Sequence, residues 1–464
     1  MEYESVKDEL LSVADTGLKF ATKQDASAEF EVYVHYGSGS RVELDQGVVT
    51  AKDGVVAGCA VRVAKDKRLG FACVSGVTAP RVKQAVKESL SVVNSVSTQD
   101  DRFEGFCDSK GAGRECTFNK DILGVEVSEL VRLCQGMTKE ARAVDERVKV
   151  VTAACRISWD AYAVANSRGI AKASKSGSGR CRVDVMSIEG DERKTGVGHD
   201  AACDRLIHAQ GLGEQAAREA VGQHGAKKLG LTSVLPTIWG PEAAGAYVLS
   251  SFGQAVLGRP IVEHTSPLCD MMGAAIASPE LTLVDDGQRP DGVGTEAIDA
   301  EGHAQQTNVL VERGVMKGFL FNSYYGRLSG VGSTGNCSRG GGPFGTPIPY
   351  ESIVGVGTKA LEIPPGSKTP DQLASSIDGK GILITDDPMG IFHSTMSTGQ
   401  FSVVANRVYL IENGSIVCPI QPLSVAGNYY DGFRRLRGVG SDATLGYYQV
   451  RSPSLLFDGF TVVG

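Results

Sequence analysis

Glycine content is the feature of this sequence that most restricts its fold. The 464 residues include 58 glycines, whereas aromatic residues make up only 6% of the chain. Glycine supplies the positive φ angles of tight turns and is unfavourable inside helices. We therefore expect many strands joined by tight turns, and not a helical bundle.

The length and composition indicate a folded protein of more than one domain. A chain of 464 residues exceeds the usual size of a single hydrophobic core. Hydrophobic residues make up 42% and charged residues 22%, which is ordinary for a globular protein. The eleven cysteines form no CxxC pair, so we interpret them as small buried apolar residues and not as a disulfide framework.

The charge and hydropathy patterns argue against two kinds of partner. The formal net charge is −7, and the densest basic cluster, Arg434, Arg435 and Arg437, is typical of a solvated face. We therefore expect no nucleic-acid binding. No stretch of about 18 apolar residues occurs, and the acidic N-terminus has no apolar signal core. These patterns predict a cytoplasmic protein without a membrane span.

The first half of the chain alternates between strand and helix patterns. Between Phe30 and Tyr36, apolar residues alternate with Glu31, Tyr33 and His35, which predicts a strand. The other predicted elements are a hairpin with its turn at 65–67, helices at 78–93, 127–141 and 214–229, and strands at 148–164 and 181–186.

The pattern changes near residue 230, where we place the domain boundary. This gives an N-terminal α+β domain of residues 1–229, with a subdivision near 100–120 left open, and a β-rich C-terminal domain of residues 230–464. The predicted fold class is α+β. In the second domain we predict a helix at 241–257, hairpin turns at Arg313-Gly314 and Asn413-Gly414, and a long surface loop at 329–349.

The histidines and cysteines are too widely spaced for the usual zinc sites. Neither the seven histidines nor the cysteines ever come closer together than nine residues. A helical zinc site needs two histidines about one turn apart, and a knuckle needs a close cysteine pair. The sequence therefore excludes both kinds of site.

One weaker constellation could hold a metal. Asp299, Glu301 and His303 lie at i, i+2 and i+4, which would place them on one face of a strand. Carboxylates with an imidazole can bind a divalent cation. Alternating polar residues also mark the wet face of an edge strand, and we favour that interpretation.

Two features of the glycine-rich segment suggest other chemistry. Cys337 would be a nucleophile if His393 activated it, but nothing in the sequence brings the two together, and such a cysteine is usually inert. Residues 340–345 match GxGxxG by spacing, yet they follow no clear strand and open no helix. We interpret them as part of a flexible loop.

Short segments distributed over nearly the whole chain resemble the TldD/PmbA family. Each segment is weak evidence alone, but their order and spacing make coincidence improbable. In the second half they are DAEG at 299–302, VERGVMK at 311–317, STGNCSR at 333–339, STGQFS at 397–402, IENG at 411–414, VAGN at 425–428, VGSD at 439–442 and GFTVVG at 459–464. In the first half they are GCAVR at 58–62, LGFA at 69–72 and NSRG at 166–169.

The resemblance implies that this chain lacks the zinc centre of its family. TldD-like chains carry an HExxxH helix and a late cysteine ligand, whereas TldE/PmbA-like chains lack both. The corresponding positions here are Leu249, Ser250 and Gln254, and no cysteine follows Cys418. None of these side chains replaces an imidazole ligand or a general base. The resemblance thus points to a TldE/PmbA-like subunit without catalytic residues or a metal of its own.

The resemblance also implies a partnership. The expected assembly is a heterodimeric peptidase in which a TldD-like subunit holds the zinc and cleaves unfolded or extended peptides; a homodimer is left open. Thr334, Gly335, Asn336 and Arg339 would line the shared substrate cavity or, alternatively, hold a turn together. Two other functions stay open at this point. One is an autonomous metal-dependent hydrolase that uses Asp299, Glu301 and His303, and the other is a regulatory or binding protein without enzymatic activity.

Overall fold

The structure is a computed structural model, and it describes residues 1–95, 97–108, 111, 113–115, 117–340 and 348–464. The α-helices in this part of the chain are α1 (Val6–Gln24), α2 (Ala79–Ser95), α3 (Val127–Val144), α4 (Leu212–Val221), α5 (Pro241–Ala255), α6 (Gly258–Val262), α7 (Ser323–Leu328), α8 (Pro370–Ser375) and α9 (Tyr429–Arg434). Short 3₁₀ helices occur at Lys120–Gly124, Pro349–Glu351 and Ile391–His393.

The strands fall into a first set of six long ones and a second set of many short ones. The first set is β1 (Glu29–Asp45), β2 (Val48–Lys65), β3 (Arg68–Ser75), β4 (Val148–Asn166), β5 (Ala171–Glu189) and β6 (Glu192–Ala202). The second set is β7 (Thr232–Trp239), β8 (Leu283–Asp286), β9 (Thr307–Glu312), β10 (Val315–Met316), β11 (Cys337–Arg339), β12 (Val354–Val356), β13 (Leu361–Glu362), β14 (Lys380–Ile384), β15 (Gln400–Ala405), β16 (Val408–Glu412), β17 (Ser415–Ile420), β18 (Leu423–Asn428), β19 (Leu436–Val439), β20 (Thr444–Leu445), β21 (Arg451–Ser452) and β22 (Leu455–Val463).

The N-terminal lobe is one antiparallel sheet with helices on one face. Its strand order is β3-β2-β1-β4-β5-β6. Helices α1 and α2 cover the half around β1 and β2, where Val32 and Val34 are fully buried. Helices α3 and α4 cover the half around β4 and β5, where Ala153 and Val183 are fully buried. This face has the alternating apolar pattern that the sequence predicts.

The opposite face of the same sheet is polar, and the C-terminal lobe covers one end of it. Glu31, Tyr33 and His35 are buried there, although the alternation with apolar residues would suit an exposed face. The apolar contacts across this boundary join Tyr33 and Tyr162 to Ile298, among others. This end of the second face therefore lies between the two lobes and not in bulk solvent.

The C-terminal lobe is β-rich and is built around the buried helix α5. Its sheets have the orders β15-β18-β22-β7-β14-β16-β17, with β19 beside β22, and β10-β9-β8-β13-β21-β20, and β11 pairs with β12. Aromatic rings pack around Tyr247 of α5, with Trp239 at 4.9 Å and Tyr429 at 4.8 Å between ring centroids. The predicted α+β fold class is confirmed.

The predicted hairpin turns are present because each depends on local chemistry. Asp66 and Lys67 both have positive φ, as do Arg313 with Gly314 and Asn413 with Gly414. Positive φ at both central residues defines the turn whose twist matches a two-residue hairpin.

Three predictions about elements were wrong or incomplete. The helix predicted at 214–229 ends at Val221, because Gly222 follows and Gly225 has a φ of +69°. Helix α1 was missed, although its buried residues repeat at helical spacing. Residues 334–339 are not a surface loop, since Asn336 and Cys337 have no exposed surface and β11 lies there. Residues 341–347 of the predicted loop, which contain most of the GxGxxG match, lie outside the described residues.

Two other properties concern the chain as a whole. In the part of the chain that the structure describes, no helix is both long and apolar enough to cross a membrane. The ten cysteines in that part are free thiols, and seven of them are buried, in keeping with the interpretation as small apolar residues.

Candidate functional site

A cavity of about 430 Å³ lies between the two lobes, and we call it the interlobe cleft. Tyr33, His35 and Tyr162 form its wall on the N-terminal sheet. Arg339 and Lys359 face them from the C-terminal lobe. Both lobes therefore contribute side chains to one polar and aromatic pocket.

Four charged side chains beside the cleft form what we call the interlobe ion cluster: Glu31, Arg62, Glu301 and Arg339. Arg62 donates to both carboxylate oxygens of Glu31, at 2.9 and 2.8 Å, and to Glu301 at 2.8 Å. Arg339 donates to Glu31 at 3.1 Å. Two positive and two negative charges balance, which makes their burial tolerable.

The cluster joins strands β1 and β2 to loops of the other lobe. The side chain of Arg62 is 12% exposed, and that of Arg339 is 1% exposed. Burial alone would raise the pKa of Glu301, but the adjacent Arg62 and the N–H of Ser323 lower it below its ordinary value. The guanidinium of Arg339 also lies 4.4 Å from the ring centroid of Tyr33, a cation–π contact. Arg339 thus belongs both to the ion cluster and to the cleft wall.

Asp299 organises a tight turn and does not lie on a strand face, so the predicted strand of Asp299, Glu301 and His303 is wrong. Its carboxylate accepts hydrogen bonds from the backbone N–H of Glu301 at 3.0 Å, of His303 at 2.9 Å and of Cys337 at 3.0 Å. Gly302 takes a φ of +82° to close the turn. Burial, followed by the charge of Glu301, raises the pKa of Asp299 to about 7.

Most donor atoms of this triad are already in use within the protein. The Asp299 oxygens accept the three N–H groups above, Glu301 is bonded to Arg62, and Nδ1 of His303 lies 2.8 Å from the carbonyl of Ala304. A bound cation would need free, convergent oxygen and nitrogen atoms. The structure therefore offers no support for a metal site built from these three residues.

Another His/Cys/Asp group does have convergent donor atoms. Within the described residues, His264, Cys269 and Asp270 have ligand atoms within 4.8 Å of one another. They lie in the loop after α6, where His264 and Asp270 are exposed. Sequence reasoning missed this group because its spacing matches no standard motif: His264 precedes Cys269 by five residues, and Cys269 is adjacent to Asp270.

The resemblance assigns the zinc helix of TldD-like chains to the segment that forms α5. Leu249 and Ser250 are half-buried on it, and Gln254 is exposed. Leucine has no donor atom, and neither a hydroxyl nor an amide provides the imidazole that zinc prefers. The residues at these positions do not fit a zinc ion.

The four predicted cavity residues divide into two groups. Arg339 lines the interlobe cleft. Thr334 and Gly335 precede the fully buried Asn336, whose amide donates to Asp285 at 2.6 Å and accepts from the Thr334 hydroxyl at 2.8 Å. Thr334 in turn accepts from the N–H of Phe321 at 2.7 Å. These three residues hold the turn that positions β11, and their role in substrate binding stays a prediction.

Cys337 is placed beside the cleft but is chemically unsuited to attack a substrate. It has no exposed surface. Burial, together with the nearby charges of Glu301 and Asp299, raises the pKa of its thiol well above the ordinary value. The thiolate is the nucleophilic form, so this environment disfavours the nucleophile that we considered from sequence.

Other polar side chains of the cleft are positioned by pairing with neighbouring side chains. Nε2 of His35 lies 3.1 Å from a carboxylate oxygen of Asp160. The hydroxyl of Tyr162 donates to Glu296 at 3.0 Å, and burial raises the pKa of Glu296. Sequence reasoning placed His35 on the second face of its strand but did not identify it as a site residue. Its pairing with Asp160, 125 residues away, depends on strand register, which the sequence does not reveal.

Three family models match the chain in succession. They are PmbA/TldA metallopeptidase domain 1 at residues 30–93, the central domain at 120–223 and the C-terminal domain at 232–464. Together they span both lobes and the interlobe cleft.

Individual relatives agree with these family models. A metalloprotease TldD homolog of Buchnera aphidicola is 25% identical over 83% of this chain and 79% of its own length. A metalloprotease PmbA homolog of Haemophilus influenzae is 24% identical over 99% of this chain and 97% of its own.

Solved structures share the fold. TldE from Thermococcus kodakarensis has a TM-score of 0.86 with 24% identity, and the match covers 97% of this chain and 100% of that one. A putative modulator of a DNA gyrase from Thermotoga maritima has a TM-score of 0.84 with 22% identity over 97% and 99%. The three family models, which include one for half of the chain, confirm the resemblance predicted from sequence: the chain belongs to the PmbA/TldD metallopeptidase family.

Proposed function

We propose that this chain is the TldE/PmbA-like, zinc-free subunit of a heterodimeric peptidase in the cytoplasm that acts on unfolded or extended peptides. The zinc and the cleavage chemistry belong to a TldD-like partner subunit. In this assembly the chain contributes the polar cleft that holds the peptide.

The observation that carries this proposal is the composition of α5. By the resemblance, Leu249, Ser250 and Gln254 of this helix stand where ligands and a general base would be needed. A zinc-activated water needs three protein ligands and a nearby base. The engaged donors of the Asp299 turn and the buried Cys337 supply no substitute.

The polar face of the N-terminal sheet supports a peptide-binding role. The cleft continues along β4 and β5 into two further cavities of about 270 and 360 Å³, because Arg156 lines all three. Together the three cavities form what we call the sheet groove. An elongated polar groove suits an extended chain, which presents main-chain hydrogen-bonding groups along its whole length.

An open strand edge supports the docking of a partner. Among the described residues, strand β3 pairs only with Gly58–Lys65 of β2, so the preceding half of β2 has an outer edge that no described strand pairs with. Val48, Val49, Val55 and Val56 on this half are 40–67% exposed. Exposed apolar edges of this kind are usually covered by another chain.

The proposal is tested by metal content and peptide cleavage of the chain alone and of its complex with a TldD-like protein encoded in the same genome. We expect the chain alone to bind no stoichiometric zinc and to cleave no unfolded peptide. We expect the complex to contain zinc in the partner subunit and to lose cleavage when a chelator is added. The variant His264→Ala serves as a control for weak metal binding by the exposed His264 group. We expect this variant to lose any such binding and to keep cleavage in the complex.

The opposite result would establish an autonomous hydrolase. Stoichiometric zinc in the chain alone, together with chelator-sensitive cleavage, would contradict the proposal. If neither the chain nor any complex cleaved peptides, the alternative of a regulatory or binding protein would be favoured.

A further inference from the structure

Four basic residues lie side by side across the polar face of the N-terminal sheet. In the strand register, Lys52 on β2 is opposite Arg41 on β1, Arg41 is opposite Arg156 on β4, and Arg156 is opposite Arg180 on β5. Directly opposite residues of antiparallel strands point to the same face and are close neighbours. We call this row the basic ladder.

A row of like charges in register is unfavourable for folding. Like charges that are directly opposite on neighbouring strands destabilise a sheet. Burial lowers the pKa of Arg180, and the neighbouring charge of Arg156 lowers it further, as expected for two adjacent guanidinium groups. The core behind this part of the sheet lies on the opposite face, around Ala153 and Val183, so core packing does not require this arrangement.

The carboxylates around the ladder are already paired, one with the ladder residue Arg41 and three with other groups. Within the described residues, Glu43 is paired with Arg41 at 2.7 Å, and Asp184 with Arg182 at 2.7 Å. Asp160 lies 3.1 Å from the ring nitrogen of His35, and Asp200 is paired with Arg205 at 2.7 Å.

Arg156 and Arg180 are therefore left without a counterion. In the described part of the chain, neither has an ion pair or a side-chain hydrogen bond, although Arg182 and Arg339 beside them each donate to a carboxylate. Arg156 is exposed and Arg180 is half-buried. Both line the sheet groove, and the two cavities beyond the cleft share them. Two adjacent guanidinium groups in a groove form a strong site for carboxylates, which they can bind with paired hydrogen bonds.

We propose that Arg156 and Arg180 bind carboxylate groups of an acidic segment of the peptide substrate, so that this subunit selects extended peptides with negative charge at one end. This inference rests on the proposed function, because it names the substrate class of the same groove. The carboxylates come from Asp and Glu side chains or from the C-terminus of the peptide.

The geometry fixes where in the peptide the negative charge lies. Tyr162 in the cleft and Arg156 on the ladder are six residues apart on β4 and share a face. At about 3.3 Å per residue this separation is about 20 Å. A peptide that lies extended along the groove therefore passes Tyr162 and Arg156, which also lines the cleft, with residues about six positions apart.

The inference is tested by binding of fluorescent nine-residue peptides of Gly, Ser and Ala that carry two Glu or two Gln residues near one end. Each is prepared with a free and with an amidated C-terminus, which separates side-chain from terminal carboxylates. Anisotropy is measured with the chain alone and with its complex with the TldD-like partner. We expect the Glu peptide to bind at least tenfold more tightly than the Gln peptide at low salt, with the difference falling as salt is added.

Variants of the two arginines identify the residues responsible. We expect Arg156→Gln and Arg156→Gln/Arg180→Gln to bind the Glu and Gln peptides with affinities within about twofold of each other. Arg218→Gln, which removes an exposed arginine of α4, is expected to keep the tenfold preference. Circular dichroism confirms that each variant is folded, and the exposed position of Arg156 makes its single variant the safer of the two.

Several results would overturn the inference. Equal binding of the Glu and Gln peptides by the wild-type chain and complex would do so, as would an undiminished preference in the Arg156 variants. Tighter binding of a short single-stranded oligonucleotide than of the Glu peptide would assign the ladder to another anion. Failure of the proposed function would be recognised by a different result, zinc-dependent cleavage by the chain alone. The charge preference could still be measured in that case.

Discussion

At the scale of single residues, the interlobe ion cluster has a high desolvation cost, and each of its charges depends on specific partners. Glu31 is fully buried and accepts from both Arg62 and Arg339. A buried charge that loses its partner keeps the full penalty of its burial. The four side chains therefore act as one unit, and the removal of any one affects the junction between the lobes.

Replacement of Arg62 tests this unit. Arg62→Met leaves Glu31 with one partner fewer and Glu301 without its guanidinium, so we expect a loss of about 3–5 kcal/mol in the free energy of unfolding. The measurement is urea unfolding followed by circular dichroism. Arg218→Met, which removes the exposed pair with Glu214, is expected to cost less than about 1 kcal/mol. Equal losses in the free energy of unfolding would show that the buried cluster stabilises the protein no more than an exposed ion pair does.

Asp299 gives the site a dependence on pH. Its pKa is raised from 3.8 to about 7, first by burial and then by Glu301. The folded state holds this proton more tightly than the unfolded state, so the stabilisation is complete below about pH 4 and is lost as the pH rises to 7. We expect the free energy of unfolding to fall between pH 5 and 7, with a contribution from this group of at most about 1.4 kcal/mol per pH unit.

Two variants separate this contribution from that of other groups. Asp299→Asn cannot titrate and is expected to show a shallower slope of unfolding free energy against pH than the wild type. Asp15→Asn makes the same chemical change on the exposed side of α1 and is expected to keep the wild-type slope. Identical slopes for all three proteins would mean that Asp299 does not titrate in this range.

At the scale of elements, turns that depend on local residue chemistry were predictable from the sequence, whereas the pairing register of the strands was not. The turns at Arg313-Gly314 and Asn413-Gly414 follow from residues that tolerate positive φ. The polar residues of β1 were recognised as a second face, but their burial depends on the other lobe. Asp299, Glu301 and His303 were assigned to a strand because their spacing fits one, whereas Gly302 allows the turn that the Asp299 carboxylate stabilises.

Gly335 shows how one turn positions β11. It has a φ of +76°, and an added Cβ would lie 2.4 Å from the carbonyl oxygen of Ala304. We expect Gly335→Ala to cost at least about 2 kcal/mol in thermal or urea unfolding, because strain at positive φ adds to a clash with backbone. The change should also weaken peptide binding, since it displaces the loop that carries Arg339.

Gly330 provides the matched control. It has a similar φ of +72° but nothing within 4 Å of an added Cβ. Gly330→Ala is therefore expected to cost only about 1 kcal/mol, the price of positive φ alone, and to leave peptide binding unchanged. If the two alanine variants behaved alike, the close packing of Gly335 would be unimportant.

The open edge of β2 gives a prediction about assembly. Val49 and Val55 are 45% and 58% exposed on the unpaired half of this strand. Lysine on an edge strand opposes pairing with another chain, so Val49→Lys/Val55→Lys should weaken binding of the TldD-like partner at least tenfold in a titration by calorimetry. Val331→Lys, at a position 67% exposed outside the strands, should bind the partner normally. Normal assembly of the double variant would place the interface elsewhere.

At the scale of the whole molecule, the sheet groove arises from contacts that are distant in the sequence. Arg41, Arg156 and Arg180 become neighbours only when β1, β4 and β5 pair in register. The cleft adds Arg339 from the other lobe, more than 300 residues after Glu31. A single sequence contains no signal for such pairings, whereas the order of the family segments along the chain was enough to predict the family.

The length of the groove should set the length of peptide that it selects. The cleft at Tyr162 and the ladder at Arg156 are about 20 Å apart, or about six extended residues. Peptides with a terminal Glu pair and about four residues in total cannot reach both ends, so we expect affinity to rise with length up to about eight residues and then to level off. A series from four to twelve residues, measured by competition against the labelled Glu peptide, checks this. In Arg156→Gln/Arg180→Gln the dependence on length should become weak, because the far end of the groove no longer holds the charge.

A steady rise in wild-type affinity beyond eight residues would mean that binding extends past the ladder. A flat series would mean that the cleft and the ladder do not act on the same peptide.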